Sequence, residues 1–355
     1  MKKTIIISLI LIFKTLLSYA QSKGIAQIDS ILTEMTKQDI FSGTILIADN
    51  SKILLVKGYG YADRENKINN TPDTRFTLSS ASKVFTGTAI TYLAQQGKLK
   101  FTDKINQYIA GIPKGNKMTI HQLLTHSAGV DDFFNAKDFS YKNIKNCTDM
   151  LPFIRQMPLV YNPGDSCIYS TGNCIVLGAV VEKITGKSFP QYIRETFIEP
   201  LGLTNTTFTA YWQLDDSQRQ YAVGYKKTDN DEVEKRAYNY DYGFVPLSAG
   251  GVWSTVMDIY KFDKAIFSKH LLSEYYLKQM TTRYTSQWEN SYFGYMWIIN
   301  NKKGYESIGH AGDSSGWHAT NDYYPKQKYT IIILTNFGWV NLDILSKRFE
   351  ELLFK

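Results

Sequence analysis

A serine followed three residues later by a lysine, Ser80-Ala81-Ser82-Lys83, heads an apolar run in which Val84, Phe85, Ala89, Ile90 and Leu93 repeat at helical spacing. If a helix begins near Ser79, the hydroxyl and the ammonium share one face and lie within reach of each other. A free serine hydroxyl is a weak nucleophile at neutral pH and needs a neighbouring base or a group that lowers its pKa. Lys83 is such a group. A helix N-terminus adds unpaired N–H groups and a positive dipole end, which favour an alkoxide and later an oxyanion. Alone, Ser-x-x-Lys arises by chance in a chain rich in both residues, so the reading needs partners.

Two further stretches supply them. In SCIYSTGNCIVLG, Tyr169-Ser170-Thr171 stands immediately before a helical pattern. A tyrosine beside a lysine can have its phenol pKa lowered, acting as general base toward a serine and general acid toward a leaving group. In GHAGDSSGWHA, His310-Ala311-Gly312 enters a strand pattern with Gly309 before it. Gly312 lets a substrate lie close against the backbone, and the Asp313 N–H could join that of Ser80 as an oxyanion hole. Each such donor contributes about 3 to 4 kcal/mol in the transition state. Trp317 follows directly and is the expected pocket aromatic. Phe133, Phe134, Tyr238, Tyr240, Tyr242 and Phe244 could line an acyl pocket or equally pack under loops and along a hairpin.

The elements that must position these residues are legible along the chain. Residues 24–38 carry Ile25, Ile28, Ile31, Leu32 and Met35 on one helical face. FSGTILIAD and KILLVKGYGYAD flank Asn50-Ser51 and form a hairpin. The Ser80 helix runs to about Gln96 and stops at Gly97. From about 101 to 245 helical patterns dominate, and the mixed-charge patch at 226–236 reads as a solvated hairpin tip or loop. Strands return in FGYMWIIN, YESIGH, GWHATNDYY and KYTIIILTNF, the last a continuous apolar run suited to a central buried strand. LDILSKRFEELLFK closes as an amphipathic helix. The fold class is α/β (α+β): one antiparallel sheet built from N- and C-terminal segments, flanked by helices, with an all-α insertion. A single catalytic domain over 21–355 would comprise an α/β part at about 21–100 and 246–355 and a mostly helical insertion at about 101–245.

The N-terminus has Lys2 and Lys3, an apolar run from Ile5 to Leu17 and Ser18-Tyr19-Ala20 before Gln21. This pattern is a signal peptide over about residues 1–20, which implies a secreted or periplasmic protein. No cysteine marks a lipid anchor, and no later stretch is long enough for a membrane span, so no stable membrane anchor is expected after cleavage. Removing Lys2, Lys3 and Lys14 takes the formal charge from +7 to +4. With no basic stripe, no nucleic-acid partner is expected. Cys147, Cys167 and Cys174 fit no zinc pattern or disulfide framework and read as small buried side chains, one bridge being the alternative. No metal or other cofactor is expected: His121 and His126 have no third ligand. His126-Ser127-Ala128-Gly129 lacks the first glycine of a nucleophile elbow, because Thr125 takes its place.

Taken together, the three motifs resemble the serine β-lactamase and penicillin-binding superfamily, and within it the class C-like branch of D-alanyl-D-alanine carboxypeptidases, D-aminopeptidases and β-lactamase-like esterases. That family carries Ser-x-x-Lys, Tyr-x-Asn and then Lys-Thr-Gly or His-x-Gly, in the order seen here. TPDTRFTLSSASK, MTIHQLLTHSAG, IEPLGLTNT and SAGGVWSTVMDIYKF are similar to further family segments, so the resemblance spans about residues 25–350. It implies a β-lactamase/transpeptidase-like fold in which Ser80 forms an acyl-enzyme and shares protons with Lys83 and Tyr169. Tyr169 is the favoured base, the division between Tyr169 and Lys83 staying open. His310 would sit behind them, tuning the electrostatics and orienting substrate.

Departures from the family pattern bear on substrate. Thr171 replaces an asparagine that can hold a substrate amide, and Asn173 could substitute only if the loop allows. His310 replaces the lysine of class C β-lactamases. Ala311 and Asp313 present a methyl and an anion where relatives grip a carboxylate, and like-charge repulsion disfavours an anionic substrate unless Lys302 or Lys303 compensates. The expectation is a small-molecule or short-peptide acyl substrate, cleaved by an esterase or D-amino-acid peptidase. The alternatives are a β-lactamase or D-Ala-D-Ala carboxypeptidase, and a non-catalytic binding or sensor protein on the same fold.

Overall fold

The structure is a computed structural model that describes residues 22–210, 220–236, 245–302 and 304–354. The predicted signal segment, Tyr238, Tyr240, Tyr242, Phe244 and Lys303 lie outside the described residues.

Eight strands form one antiparallel sheet: β1 (Gly43–Asp49), β2 (Ile53–Tyr59), β3 (Thr285–Trp288), β4 (Ser291–Phe293), β5 (Ile298–Lys302), β6 (Tyr305–Ser314), β7 (Trp317–Tyr324) and β8 (Tyr329–Thr335). Their order is β2-β1-β8-β7-β6-β5-β4-β3. The two ends of the chain therefore meet in mid-sheet, where β1 pairs with β8 from Gly43↔Thr335 to Asp49↔Tyr329.

Period-two alternation explains why β1 and β8 are apolar on both faces. Leu46, Ala48, Ile332 and Leu334 turn to an inner core, whereas Ile45, Ile47, Ile331 and Ile333 turn to an outer one. The outer core is closed by an N-terminal helix α1 (22–37) through Ile28 and Leu32, and by the C-terminal helix through Leu345 and Phe349. The β1–β2 turn is set by Asp49, whose Oδ1 accepts hydrogen bonds from Ser51 N, Ser51 Oγ and Lys52 N at 2.8, 2.6 and 2.8 Å.

Against the inner face lies α2 (Lys83–Gln95), buried on almost every side, with Gly97 at φ +70° beyond its end. Its start differs from the sequence expectation. A 3-10 turn, Ser79–Ser82, precedes the α-helix, with Ser79 itself at φ +48°. The insertion contributes α3 (Ile120–Leu124), α4 (Leu151–Gln156), α5 (Thr171–Thr185) and α6 (Phe189–Ile193), and α7 (Val256–Phe267), α8 (Glu274–Met280) and α9 (Leu342–Leu353) follow. The charged patch at 226–236 belongs to a hairpin, Gly224–Lys227 with Val233–Arg236. A short pairing of Phe76–Thr77 with Trp253–Ser254 draws residues 247–252 beside the Ser80 turn. Among the described residues no helix is long and apolar enough to cross a membrane.

Candidate active site

The turn that carries Ser80 is clamped onto β6. A Cβ on Gly312 would fall 1.9 Å from the Leu78 carbonyl oxygen and 2.8 Å from the Ala81 nitrogen, so only glycine lets strand and turn touch. Ser79 Oγ adds a 2.8 Å hydrogen bond to Ser314 Oγ. The left-handed φ of Ser79 is held by its carbonyl, which accepts from Gly251 N at 3.3 Å.

Lys83 is completely buried and donates to Ser80 Oγ at 3.0 Å and to the Ala249 carbonyl at 2.6 Å. Its ammonium also lies 5.0 Å from the centre of the Tyr169 ring. Burial by itself would depress this ammonium. The phenol of Tyr169, with Cys174 and Asp132 behind it, favours the charged form more strongly, and the pKa ends above its ordinary value. At neutral pH Lys83 is therefore a charged donor to Ser80. The Tyr169 hydroxyl is buried beside the Lys83 ammonium.

The Tyr169 ring is hemmed in by His126, Trp288, Phe293 and His310 at centroid distances of 4.7, 6.0, 6.1 and 6.1 Å. His310 Nδ1 lies 2.6 Å from the Ala311 carbonyl oxygen, which puts its proton there and leaves the lone pair on a buried Nε2. Burial first, and the Lys83 charge second, push its pKa down to about 3. His310 is neutral and can act as an acceptor, not as a cation.

Strand β5 pairs with β6 only as far as Gly309, so residues 310–314 keep one edge open. His310 N donates toward β7, to Asn321 Oδ1 at 3.2 Å. Strand alternation then turns the N–H groups of Ala311 and Asp313 to the open edge. Ser80 N lies in the first turn of its helix, where no intrahelical acceptor exists. A cleft of about 1130 Å³ opens there, lined by Ser80, Tyr169, Trp288, His310, Ala311 and Asp313 among others. The Asp313 carboxylate is 77% exposed and lies 3.7 Å from His318 Nδ1.

Other predicted site residues sit elsewhere. Trp317 is a correction: it is 2% exposed and donates its indole N–H to the Ala222 carbonyl at 2.9 Å, so it belongs to the core. Trp288, which no local pattern singles out, takes the pocket position instead. Asn173 does not substitute for the missing asparagine, because it is buried with its amide Nδ2 3.2 Å from His126 Nδ1. Thr171 is the first residue of α5, and its hydroxyl donates to Asp132 Oδ1 at 2.6 Å. Ser127 is buried and its hydroxyl is 3.0 Å from that of Thr125. The three cysteines are free thiols, Cys147 and Cys174 being buried. The Ala249 carbonyl was invisible to side-chain reading, although the SAGG stretch that carries it stood out as a family-like segment.

A family model described as Beta-lactamase matches residues 28–338, and the chain belongs to that family of serine hydrolases. The protein PbpX of Bacillus subtilis (strain 168) is 31% identical over 257 residues, which cover 71% of this chain and 61% of that protein. Protein flp of Staphylococcus aureus (strain N315) is 26% identical over 337 residues, 92% of this chain and 65% of that one. The chain thus spans just under two thirds of the length of these curated relatives. A penicillin binding protein from Bacillus halodurans superposes with a TM-score of 0.80 at 27% identity, over 90% of this chain and 98% of its own. D-amino acid amidase from Ochrobactrum anthropi SV3 superposes equally well, with a TM-score of 0.80 over 95% and 99% of the two chains. At 20% identity that second likeness is one of fold.

Proposed function

We propose that this protein hydrolyses an ester or amide bond through an acyl-Ser80 intermediate, as an esterase or D-amino-acid peptidase. The observation that carries the reading is the 3.0 Å hydrogen bond from a buried, charged Lys83 to Ser80 Oγ, with the buried Tyr169 hydroxyl interacting with the same ammonium. Tyr169, the assigned base, takes the Ser80 proton while Ser80 Oγ attacks the carbonyl carbon. Lys83 holds both oxygens electrostatically, and the N–H groups of Ser80 and Asp313 receive the oxyanion. Tyr169 then returns the proton to the leaving alcohol or amine, and water releases the acyl group by the same steps with Tyr169 as base. His310 stays neutral throughout, consistent with orienting rather than supplying charge.

The Asp313 carboxylate in the cleft supports a neutral or cationic substrate, because it would repel a carboxylate. The Thr171 hydroxyl, committed to Asp132, does not offer its proton to a substrate amide. The name of the Bacillus halodurans relative favours a second reading, a β-lactamase or D-Ala-D-Ala carboxypeptidase. Turnover of acyl esters, D-aminoacyl amides, a D-Ala-D-Ala peptide and a chromogenic cephalosporin, with Ser80→Ala as control, separates the two. Brisk cephalosporin or D-Ala-D-Ala hydrolysis would overturn the preference, and a fluorophosphonate that labels Ser80→Ala as strongly as wild type would overturn the mechanism. Stoichiometric acylation without turnover would point to a binding or sensor protein. Export through residues 1–20 accompanies the proposal, and N-terminal sequencing of the mature protein tests it.

A further inference from the structure

The segment bearing Tyr169 is gripped by a single residue on both sides of the tyrosine. Ile168 N donates to the His126 carbonyl oxygen at 3.2 Å, and Ser170 N donates to His126 Nδ1 at 3.2 Å. Tyr161 reinforces the first contact, since its hydroxyl donates to the same carbonyl at 2.8 Å and accepts from Ile168 N at 3.0 Å. Between these two anchors the imidazole lies against the Tyr169 ring, centroids 4.7 Å apart and planes inclined by 33°. Phe293 supports the imidazole at 4.7 Å.

His126 is fully buried and holds this position at φ +54°, in the left-handed region that few non-glycine residues adopt, histidine more readily than most. Because Nδ1 accepts from Ser170 N, and the Asn173 amide also lies 3.2 Å from it, the ring proton sits on Nε2. Burial, followed by the Lys83 charge and His310, holds the ring pKa well below its ordinary value. The ring therefore remains a neutral acceptor, the state the Ser170 contact requires.

We infer that His126 is a positioning residue for Tyr169: it fixes the phenol over Lys83 and Ser80 through the Ser170 N–H and ring contact, and it touches no reacting atom. This rests on the assignment of Tyr169 as the base under Proposed function. Strained backbone at a non-glycine residue, maintained next to a candidate base, is what such a role would leave in the structure.

The test is the second-order rate of Ser80 labelling by a fluorophosphonate, which needs no knowledge of the natural substrate, measured on the full chain together with each variant's melting midpoint. Tyr169→Phe is expected to slow labelling by about 10²- to 10⁴-fold, the usual worth of a general base. His126→Phe keeps a ring but loses the acceptor, and is expected to cost about 100-fold, as a misplacement of the order of 1 Å does. In the Tyr169→Phe background it should cost nothing further. His126→Asn places a carbonyl where Nδ1 was and tolerates positive φ, so it should restore most of the loss. Should His126→Phe fail to fold, His126→Gln, whose polar end falls at Nε2 instead, replaces it in the comparison with Asn. Losses that multiply in the double variant, or an Asn variant no better than Phe or Gln, would overturn the role of His126 while leaving Tyr169 as base. Wild-type labelling by Tyr169→Phe would instead overturn the assignment of Tyr169, and the inference with it.

Discussion

Gly312→Ala adds one methyl group at the contact between the nucleophile's turn and the sheet. The new Cβ would stand 1.9 Å from the Leu78 carbonyl oxygen, about 1.5 Å inside the 3.4 Å at which ordinary contact begins. Both sides of this contact are backbone, and each is tied elsewhere. Gly312 is in register with Ala319 on β7, and Leu78 N donates to the Val252 carbonyl at 2.8 Å. Turn and strand must separate by the order of 1 Å. Overpacking of this kind costs about 1–3 kcal/mol of stability. Separation also pulls the Asp313 N–H away from the Ser80 N–H, and losing one oxyanion donor costs about 10²- to 10³-fold in kcat. The assay is kcat and KM on whichever ester or amide the substrate screen identifies, with a thermal melt of the same preparation. A fall in kcat of at least about 100-fold with little change in KM is expected, because the donor acts on the transition state. Wild-type kcat with an unshifted melt would refute both the close approach and the oxyanion assignment.

Two further predictions concern what lies behind the site. Asp263 on α7 is buried with its carboxylate 3.3 and 3.4 Å from the Asn321 amide Nδ2, and burial, helped by Asp322, raises its pKa to about 8. The folded protein holds this proton up to about pH 8, whereas the unfolded chain releases it near the ordinary 3.8. Between these values the unfolded state binds fewer protons, so stability is greatest below the lower value and falls as pH rises through the interval. Asp263→Asn should flatten that fall and be more stable than wild type at pH 8, on the order of a few kcal/mol. Urea midpoints from pH 4 to 8 that run parallel for the two proteins would contradict this. Trp317→Ala should cost about 3–5 kcal/mol in stability, as for a core tryptophan, while Trp288→Ala should leave the melt nearly unchanged and raise KM. The opposite pattern in melts and kinetics would return Trp317 to the pocket.

Local chemistry made much of this molecule readable in advance. The β1–β2 hairpin follows from Asn50-Ser51 between two apolar strand patterns, and the end of α2 follows from Gly97, because turn and cap signals act over a few residues. The double-sided burial of β8 was legible in the unbroken run from Ile331 to Leu334. The turn at Ser79 was less so. A helical pattern says nothing of the φ +48° that contact with Gly251 and Ser314 imposes on a residue with no intrinsic preference for it.

Sequence by itself determined the composition of the site: a Ser-x-x-Lys at a helix head, a tyrosine before a second helix and a His-Ala-Gly on a late strand. Only the tertiary structure decided what these residues are to one another. Trp317 and Trp288 are the same residue type near similar strands, and their fates diverge because one indole N–H meets the Ala222 carbonyl in the core while the other side chain borders the cleft. The charge on Lys83 is likewise a property of the assembled fold, set by the balance of burial against Tyr169, Cys174 and Asp132. So is the hold of His126 on Tyr169: its imidazole meets the Ser170 N–H and the Tyr169 ring only because the path of the chain brings residues 126 and 169–170 together.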